Sequence, residues 1–415
     1  MIVGQLFKRI FTRKVSVTRP SRAEIVIFDS YSERHFRPLL PPVTVSVIDG
    51  ALKNVNLWIF LHSLRYGRPS LLTYTWSFVR LARASLVVTT IDNSPIIYQI
   101  KSKLPEVKVC VVQNGRRGTF GVTEDNSFLS ELRKYEKYGP NCADYYICFG
   151  TTEIMQFGNL IQAKFVPVGS IKNNYFCNHP APRQDPVMSF VSSFPNFDYL
   201  PKASVESEET YLFSGNHPIT HLEYFKAEAE VAKFLVEYCK NHGIRFQVVG
   251  KRSSKSHLEE AFFRRAAPGQ WKFIPNDTER TSYDVLHRSK FVASVDSTLA
   301  YEMFGLGIRT AFFTIRSEFF KSTGSLCTKF GYPQVVDDSG PMWTNISEIG
   351  ELERVTNFVV KSTDYEWEEA WSHYAPIVMS QDRLNSKLGA IISNSVGKDG
   401  PSQTEILSRV TEIYG

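Results

Sequence analysis

Two hydroxyls and a carboxylate follow one predicted strand in the second half of the chain, at a spacing that suits a bound phosphate. Residues 291–295 are predicted as a buried strand, and Ser297 and Thr298 begin a short helix after it. Free backbone N–H groups at a helix start, with hydroxyls beside them, can bind a phosphate. Glu302 lies about one turn beyond Thr298 on the same face, where it could bind ribose hydroxyls. An ordinary strand–helix unit with a Ser/Thr N-cap has the same pattern, so both interpretations stay open.

Polar side chains also follow other predicted strands of the second half. They lie directly after the strand ends near residues 191, 249 and 274. Basic, amide and hydroxyl groups of this kind suit the phosphates of a nucleotide. The candidate phosphate-binding residues at these three ends are Ser192, Ser193, Gly250, Lys251, Arg252 and Asn276.

The strand ends of the first half carry carboxylates and amides. The candidates there are Asp49, Asp92, Gln113, Asn114, Glu153, Lys172 and Asn173. Groups of this kind are suited to an acceptor molecule that carries hydroxyls. Each short sequence alone is weak evidence, because loops are polar for solvation and Asn-Gly is a common turn. The collection indicates complementary chemistry in the two halves of the chain.

Alternating strands and helices position these residues. A length of 415 residues predicts two domains of about 200 residues each. The chain is 43% hydrophobic and 22% charged, which is typical of a folded protein. Strand–helix alternation predicts mostly parallel sheets with helices on both faces. We therefore predict an α/β fold of two doubly wound, Rossmann-like domains, with the ligand in the cleft at the carboxyl ends of the strands.

The predicted boundaries follow changes in composition. Residues 175–210 are rich in turn formers and predict a linker around a strand at 187–191, and helices are predicted over 54–66 and 222–241. The predicted units are a basic N-terminal segment at 1–22, an acceptor domain at 23–180, a phosphate-binding domain at 181–365 and helices at 366–415 that pack back on the body.

Charge and cysteine content narrow the functional class. The net charge of +6 suits anionic ligands, but the dense basic stripes of a nucleic-acid-binding module are absent from the sequence. Six cysteines without CxxC spacing predict buried thiols in a reducing cytosol and argue against a zinc site. No apolar run approaches the ~18 residues of a membrane span, and no signal-peptide core follows the first basic residues.

The first 14 residues have an amphipathic pattern. Apolar residues recur at helical spacing, and Lys8, Arg9, Arg13 and Lys14 lie on or near the other face. Such a helix can lie on an anionic membrane surface. The alternative is a helix that packs on the body of the protein with a solvated basic side.

Several sequences together resemble a known family. In order along residues 20–330 they are VVQNGRRG, YYICFG, VPVGSIKNN, SFVSSF, VVGKR and VDSTLAYEMFGLGIRTAFF. The order is similar to that of bacterial surface-carbohydrate biosynthesis proteins of the GT-B glycosyltransferase type. It more distantly resembles the retaining Kdo transferases of lipopolysaccharide and capsule, which use CMP-linked donors.

The resemblance implies roles for individual residues. Asn216-His217-Pro218 is similar to the His-Pro dipeptide that contacts the nucleotide phosphate in CMP-sugar transferases, although His217 could instead open the long helix after it. The acidic-acidic-Gly sequence that usually accompanies this dipeptide is absent from the chain. GT-B enzymes commonly stabilise the departing phosphate with a helix start and basic side chains, so we expect no metal and no cofactor. Ser297, Thr298, Lys251 and Arg252 would serve that role.

A first-domain carboxylate would then activate the acceptor hydroxyl or attack the anomeric carbon. Glu153 is the first candidate, followed by Asp92 and Asp49, and each could instead be a structural cap. The resemblance predicts transfer from a nucleotide sugar, CMP-Kdo or a related ulosonic acid among the candidates, to a cell-surface polysaccharide or lipopolysaccharide acceptor. The alternatives are a nucleotide-sugar epimerase and a non-catalytic glycan-binding protein. The expected location is cytoplasmic, at the inner face of the membrane if the N-terminal segment binds there.

Overall fold

Two parallel sheets form the framework of the protein. The structure is a computed structural model, and it describes residues 14–49, 54–116, 128–176, 185–194, 210–214, 217–251, 256–278, 280–320, 329–332 and 336–414. The strands are β1 (Lys14–Ser16), β2 (Ile25–Phe28), β3 (Val45–Ile48), β4 (Asn54–Asn56), β5 (Leu86–Thr89), β6 (Lys108–Val112), β7 (Cys142–Cys148), β8 (Gln162–Pro167), β9 (Asp185–Val191), β10 (Thr210–Ser214), β11 (His217–Thr220), β12 (Arg245–Val249), β13 (Lys272–Ile274), β14 (Ser289–Ser294), β15 (Arg309–Phe313), β16 (Ser339–Gly340) and β17 (Trp343–Thr344).

Helices connect these strands. They are α1 (Ser30–Phe36), α2 (Leu57–Ser63), α3 (Leu71–Ala82), α4 (Pro95–Tyr98), α5 (Phe128–Tyr135), α6 (Thr152–Phe157), α7 (Ile171–Phe176), α8 (His221–Asn241), α9 (Ser256–Ala266), α10 (Thr281–Arg288), α11 (Thr298–Gly305), α12 (Ile349–Lys361), α13 (Asp364–Val378), α14 (Ser386–Val396) and α15 (Gln403–Tyr414). Short 3-10 turns follow several of them.

The first sheet has six parallel strands in the order β3-β2-β5-β6-β7-β8. The second has the order β13-β12-β9-β14-β15-β17-β16, and only its last pair is antiparallel. The central strands β2 and β5 are buried along their whole length, as expected for parallel strands covered on both faces. The predicted fold of two doubly wound, Rossmann-like sheets is confirmed.

The chain crosses back from the second domain to the first after α13. The N–H of Thr151 donates to the carbonyl of Pro376 over 3.2 Å, and that of Ser380 donates to Phe149 over 2.6 Å. A Cβ atom on Gly150 would overlap the carbonyl of Ile377, so this close backbone approach requires glycine. The crossing segment therefore lies directly on the carboxyl end of β7.

The last two helices continue on the first domain. Nδ2 of Asn174 donates to Oδ1 of Asn385 over 2.9 Å, and the Arg409 guanidinium donates to the Leu40 carbonyl over 2.9 Å. The Tyr414 hydroxyl lies 2.7 Å from Nδ1 of His35. The last 30 residues are thus attached to the first domain, although they follow the second domain in sequence.

Two predicted helices begin at different residues in the structure. The helix predicted over 54–66 begins at Leu57, because residues 54–56 form β4 and the Asn56 side chain caps the N–H groups of Trp58 and Ile59. The long helix begins at His221 behind a capping box of Thr220 and Glu223, so His217 lies in β11 and does not open it.

Other sequence predictions fall partly outside the described residues. Residues 1–13 of the predicted N-terminal helix are among them, and residues 14–16 form β1. Of the six cysteines, four are described, and all four are free thiols: Cys110, Cys142, Cys148 and Cys239. None of the described helices is both long enough and apolar enough to span a bilayer.

Candidate functional site

The second sheet changes direction between β9 and β14, and the predicted hydroxyls lie at that point. The strand order runs outward from β9 on both sides, so a crevice opens at the carboxyl ends of these two neighbours. The Ser193 hydroxyl donates to Oδ1 of Asp296 across it over 3.0 Å. Ser192 is buried, and its hydroxyl accepts the N–H of Phe194 over 3.1 Å, which shapes the turn.

Helix α11 begins at this crevice without a side-chain cap. Ser297 is its N-cap residue, but the Ser297 hydroxyl accepts no hydrogen bond from the helix start. Within the described residues, the N–H groups of Thr298 and Leu299 have no acceptor, since the first intrahelical bond is donated by Ala300. Two N–H donors therefore remain available, with the hydroxyls of Ser297 and Thr298 beside them, where the helix dipole favours an anion.

Arg116 of the first domain reaches this helix start. Its N–H donates to Oγ1 of Thr298 over 3.2 Å, and its guanidinium lies 4.1 Å from the ring centroid of Tyr301. The guanidinium also donates to the carbonyl of Lys329 over 3.0 Å. Burial lowers the pKa of Arg116 to about 10, while the carboxylates of Glu153 and Asp296 oppose that shift. Arg116 therefore remains a cation at neutral pH, between carboxylates of both domains.

A buried ion cluster supports the crevice from behind. The Arg316 guanidinium binds both oxygens of Asp296 at 2.9 Å and both oxygens of Glu228. Burial works to raise the pKa of Asp296, but the Arg316 charge and the Ser193 hydroxyl outweigh it and hold that pKa below its ordinary value. Asp296 is thus an ionised, fixed carboxylate whose position is set by Arg316.

Glu153 lies at the start of α6 in a closed network. Its carboxylate accepts hydrogen bonds from Nε2 of Gln113 at 3.1 Å, the N–H of Gly150 at 3.1 Å and the Thr152 hydroxyl at 3.0 Å. Burial raises the pKa of Glu153, although these donors and Arg116 partly oppose it. Oε1 of Gln113 in turn accepts the N–H of Phe149 at 2.8 Å. The network ties the ends of β6 and β7 together beside Arg116.

The candidate carboxylates Asp92 and Asp49 follow other strands of the first sheet. Asp92 is buried after β5, the neighbour of β6, and accepts the N–H of Asn114 over 3.2 Å. Asn114 itself is exposed to solvent. Asp49 follows β3, three strands from β6, which places it roughly 14 Å along the sheet. The structure therefore brings Glu153 and Asp92 toward the crevice but not Asp49.

Glu302 lies at a contact between the domains. Its carboxylate accepts the Tyr283 hydroxyl at 2.5 Å, and its carbonyl accepts Nδ2 of Asn173 at 3.0 Å. Burial raises the pKa of Glu302, against hydrogen bonds from Ser170 and Tyr283 and the charge of Lys172. The Lys172 ammonium donates to the Tyr31 hydroxyl over 3.0 Å. Asn173 and Lys172, which are predicted to face an acceptor, thus lie beside Glu302, which is predicted to bind the ribose.

The remaining predicted residues lie at the neighbouring strand ends. Gly250 allows β12 to approach the ring of Phe273, where a Cβ atom would lie 2.7 Å from Cζ. Lys251 is exposed, and its charge lowers the pKa of Asp296, so it lies within electrostatic reach of the crevice. Nδ2 of Asn276 donates to the Lys251 carbonyl over 3.2 Å. Arg252 and the His217 side chain are outside the described residues.

Sequence reasoning missed three residues that the structure places at the site. Arg116 and Asp296 lie in the sequences VVQNGRRG and VDSTLAYEMFGLGIRTAFF, and Arg316 follows the end of β15 by three positions. For Arg116 and Arg316, the available signal was an arginine within four positions of a strand end in each domain. Across the part of the chain that is described, no three His, Cys, Asp or Glu side chains are arranged to hold a metal.

A family model matches residues 110–395, the segment that contains Arg116, Glu153, Asp296 and α11. Its description is "putative O-antigen biosynthesis protein". The chain belongs to this family. The family assignment agrees with the predicted resemblance to surface-carbohydrate biosynthesis proteins. Among curated proteins, no match to the chain is found.

Solved structures with a similar fold share little sequence with this family member. The wall teichoic acid polymerase TagF is 11% identical with a TM-score of 0.49, over 92% of this chain and 90% of TagF. The Methanocaldococcus jannaschii UDP-GlcNAc 2-epimerase, in complex with UDP-GlcNAc and UDP, is 12% identical with a TM-score of 0.44, over 85% and 94%. MnaA of S. aureus, bound to UDP, is 9% identical with a TM-score of 0.46, over 93% and 97%.

Proposed function

We propose that this protein is a glycosyltransferase of surface-glycan assembly that binds a nucleotide-linked sugar at the start of α11. The free N–H groups of Thr298 and Leu299 at the switch point of the second sheet carry the proposal. They lie next to the hydroxyls of Ser297 and Thr298 and to a cation from the other domain. This combination suits a phosphate ester that lies between the two domains.

The phosphate groups of the donor would lie on α11, with Arg116 on one side and Lys251 on the other. In the transfer step the bond between the anomeric carbon and the phosphate oxygen breaks, and its electron pair goes to the phosphate. Donors that already point at that oxygen stabilise the developing charge without rearranging. Arg116 is held against Tyr301 and Thr298, so its orientation is set before the donor binds.

The first domain would hold the acceptor. An acceptor hydroxyl attacks the anomeric carbon and its proton passes to a carboxylate, for which Glu153 remains the first candidate. Glu153 already accepts three hydrogen bonds, so an acceptor hydroxyl must replace one of these donors. Burial, which raises the pKa of Glu153, also makes it a stronger base than an exposed carboxylate.

A CMP-linked ulosonic acid such as CMP-Kdo is the donor we would test first. Its support is the His217-Pro218 dipeptide, since no structural feature of the described residues distinguishes cytidine from uridine. The acceptor that fits the family assignment is a cell-surface polysaccharide or a lipid-linked glycan. We propose that the reaction uses neither a metal nor a cofactor beyond the nucleotide sugar.

The test is incubation of the purified protein with CMP-, UDP- and GDP-linked sugars, with and without a lipid-linked glycan acceptor. Mass spectrometry of both products is the measurement. We expect acceptor-dependent nucleotide release and a glycan heavier by one sugar, and loss of both in Arg116→Ala. An isomerised sugar without any glycan product would identify an epimerase and overturn the proposal. Binding of the glycan with every donor unchanged would identify a non-catalytic protein.

A further inference from the structure

Helix α2 exposes a row of large apolar side chains. Leu57, Trp58, Leu61 and Leu64 are 41%, 54%, 52% and 49% exposed, and their spacing places them on one side of the helix and of the 3-10 turn that extends it. The opposite side is also apolar, since Ile59 is buried in the core of the first domain. A helix that is apolar on both sides needs a second apolar environment to cover the outer one.

Strand β1 extends the apolar surface. It pairs in parallel with β4, which ends directly before α2, and Nδ2 of Asn56 donates to the Thr18 carbonyl over 2.7 Å. Val15 and Val17 are 47% and 64% exposed on this strand and just after it. We call these two valines and the four exposed residues of α2 and its 3-10 turn the docking face.

The two stretches that contain the docking face carry basic but no acidic side chains. Residues 14–23 and 54–91 carry seven of the 48 Lys and Arg residues and none of the 42 Asp and Glu residues. Residues 1–13, directly before the first stretch, add Lys8, Arg9 and Arg13 and no acidic residue. Burial lowers the pKa of His62 on α2, and the charges of Arg65 and Arg80 lower it further, so both cations lie within electrostatic reach of this helix.

We infer that the docking face binds the surface of an anionic lipid bilayer. Leucine and tryptophan enter the boundary between headgroups and acyl chains, while arginine at the rim attracts the lipid phosphates. Tryptophan prefers this boundary because its ring is apolar and its indole N–H is polar. The inference does not depend on the proposed transfer activity, because membrane binding requires neither donor nor acceptor.

The experiment is co-sedimentation of the full chain with vesicles of one part phosphatidylglycerol to three parts phosphatidylcholine. We expect Trp58→Glu/Leu61→Glu to lower the partition coefficient at least ~10-fold. The matched control is Ile349→Glu/Leu258→Glu, which adds the same charge at exposed apolar positions of the second domain, 71% and 40% exposed. This control should bind as the unaltered chain does. Pure phosphatidylcholine vesicles should bind all of these proteins weakly.

Two further measurements test whether the docking face itself contacts the lipid. A chain without residues 1–13 retains β1, and comparing it with and without the α2 substitutions separates the docking face from the N-terminal segment. Lipids brominated in their acyl chains should quench the fluorescence of Trp58, seen as the difference from Trp58→Phe. Partitioning within twofold of the unaltered chain for Trp58→Glu/Leu61→Glu would overturn the inference. So would a change of oligomeric state in that variant without a change in vesicle binding, because a second copy would then cover the face.

Discussion

The N–H of Arg116 donates to Oγ1 of Thr298 over 3.2 Å, and this bond joins a first-domain loop to the helix start of the second domain. The two residues are 182 positions apart in sequence. Because the Arg116 side chain then lies over Tyr301, one residue brings a cation to the uncapped helix. A phosphate bound there would contact both domains at once.

Arg116 should matter for turnover through its shape as well as its charge. We expect Arg116→Ala to lower kcat/KM about 10²–10³-fold, the usual effect of removing one oriented donor to a developing anion. Arg116→Lys should recover only part of the loss, because an ammonium cannot reproduce the planar contact with Tyr301. Arg264→Ala is the control, since its guanidinium also stacks on an aromatic ring, 3.9 Å from the Trp271 centroid, but outside the crevice. Equal losses in the two alanine variants would show a general packing effect.

Glu153 should set the acid limb of the pH–rate profile. A base acts when ionised, and burial raises the pKa of Glu153, so the rate should rise with pH above the ordinary value of 4.5. Glu153→Gln should lower kcat at least ~100-fold and remove this limb, while donor affinity persists. Because the pKa of Glu153 is higher in the folded than in the unfolded state, protonated Glu153 stabilises the folded state fully only below about pH 4.5. This contribution is lost as the pH rises through the folded-state pKa.

The measurements are kcat across pH and urea unfolding of both proteins at two pH values. If Glu153→Gln keeps the limb and near-normal turnover, Asp92 becomes the next candidate base. Asp49 is less favoured, since it follows an edge strand away from Arg116.

The role of Glu302 can be separated from that of its partner Tyr283. If Glu302 binds the ribose, Glu302→Ala should weaken nucleotide affinity by about 1–3 kcal/mol, measured by calorimetry. Tyr283→Phe should leave that affinity intact or increase it, because the hydroxyl now bound at 2.5 Å would no longer occupy the carboxylate. If Glu302 only joins the domains, the two substitutions should instead lower thermal stability together and change nucleotide affinity alike.

Arg316 should be essential for stability. Arg316→Met leaves Asp296 and Glu228 without their shared counter-charge in a buried site, so we expect a loss of about 3–5 kcal/mol in the free energy of unfolding. Arg37→Met breaks an exposed pair with Glu33 and should cost under ~1 kcal/mol. Denaturant unfolding gives both values. A small loss for Arg316→Met would mean that water or other groups compensate the two carboxylates.

Local sequence patterns predicted many of the strands and helices, although not all of their bounds. The largely apolar runs Ile25–Phe28 and Leu86–Thr89 are central strands of the first sheet, because burial on both faces favours apolar residues along the strand. The Ser-Thr sequence after β14 does begin a helix, and Glu302 does lie one turn later. These features depend on neighbours within a few residues, and a sequence records such neighbours directly.

Only the tertiary structure decided which strand ends share a crevice. Strand order places Ser193 beside Asp296 and moves Asp49 away, and neither relation is visible in chain order. Local spacing also predicted that the Glu302 carboxylate is open to a ligand, whereas in the structure it accepts a hydrogen bond from the Tyr283 hydroxyl. Residues 376–380 settle on the first domain because Gly150 permits their backbone to approach. Periodicity and turn chemistry act over a few residues, whereas sheet order and domain contacts depend on the burial of surfaces that are hundreds of residues apart.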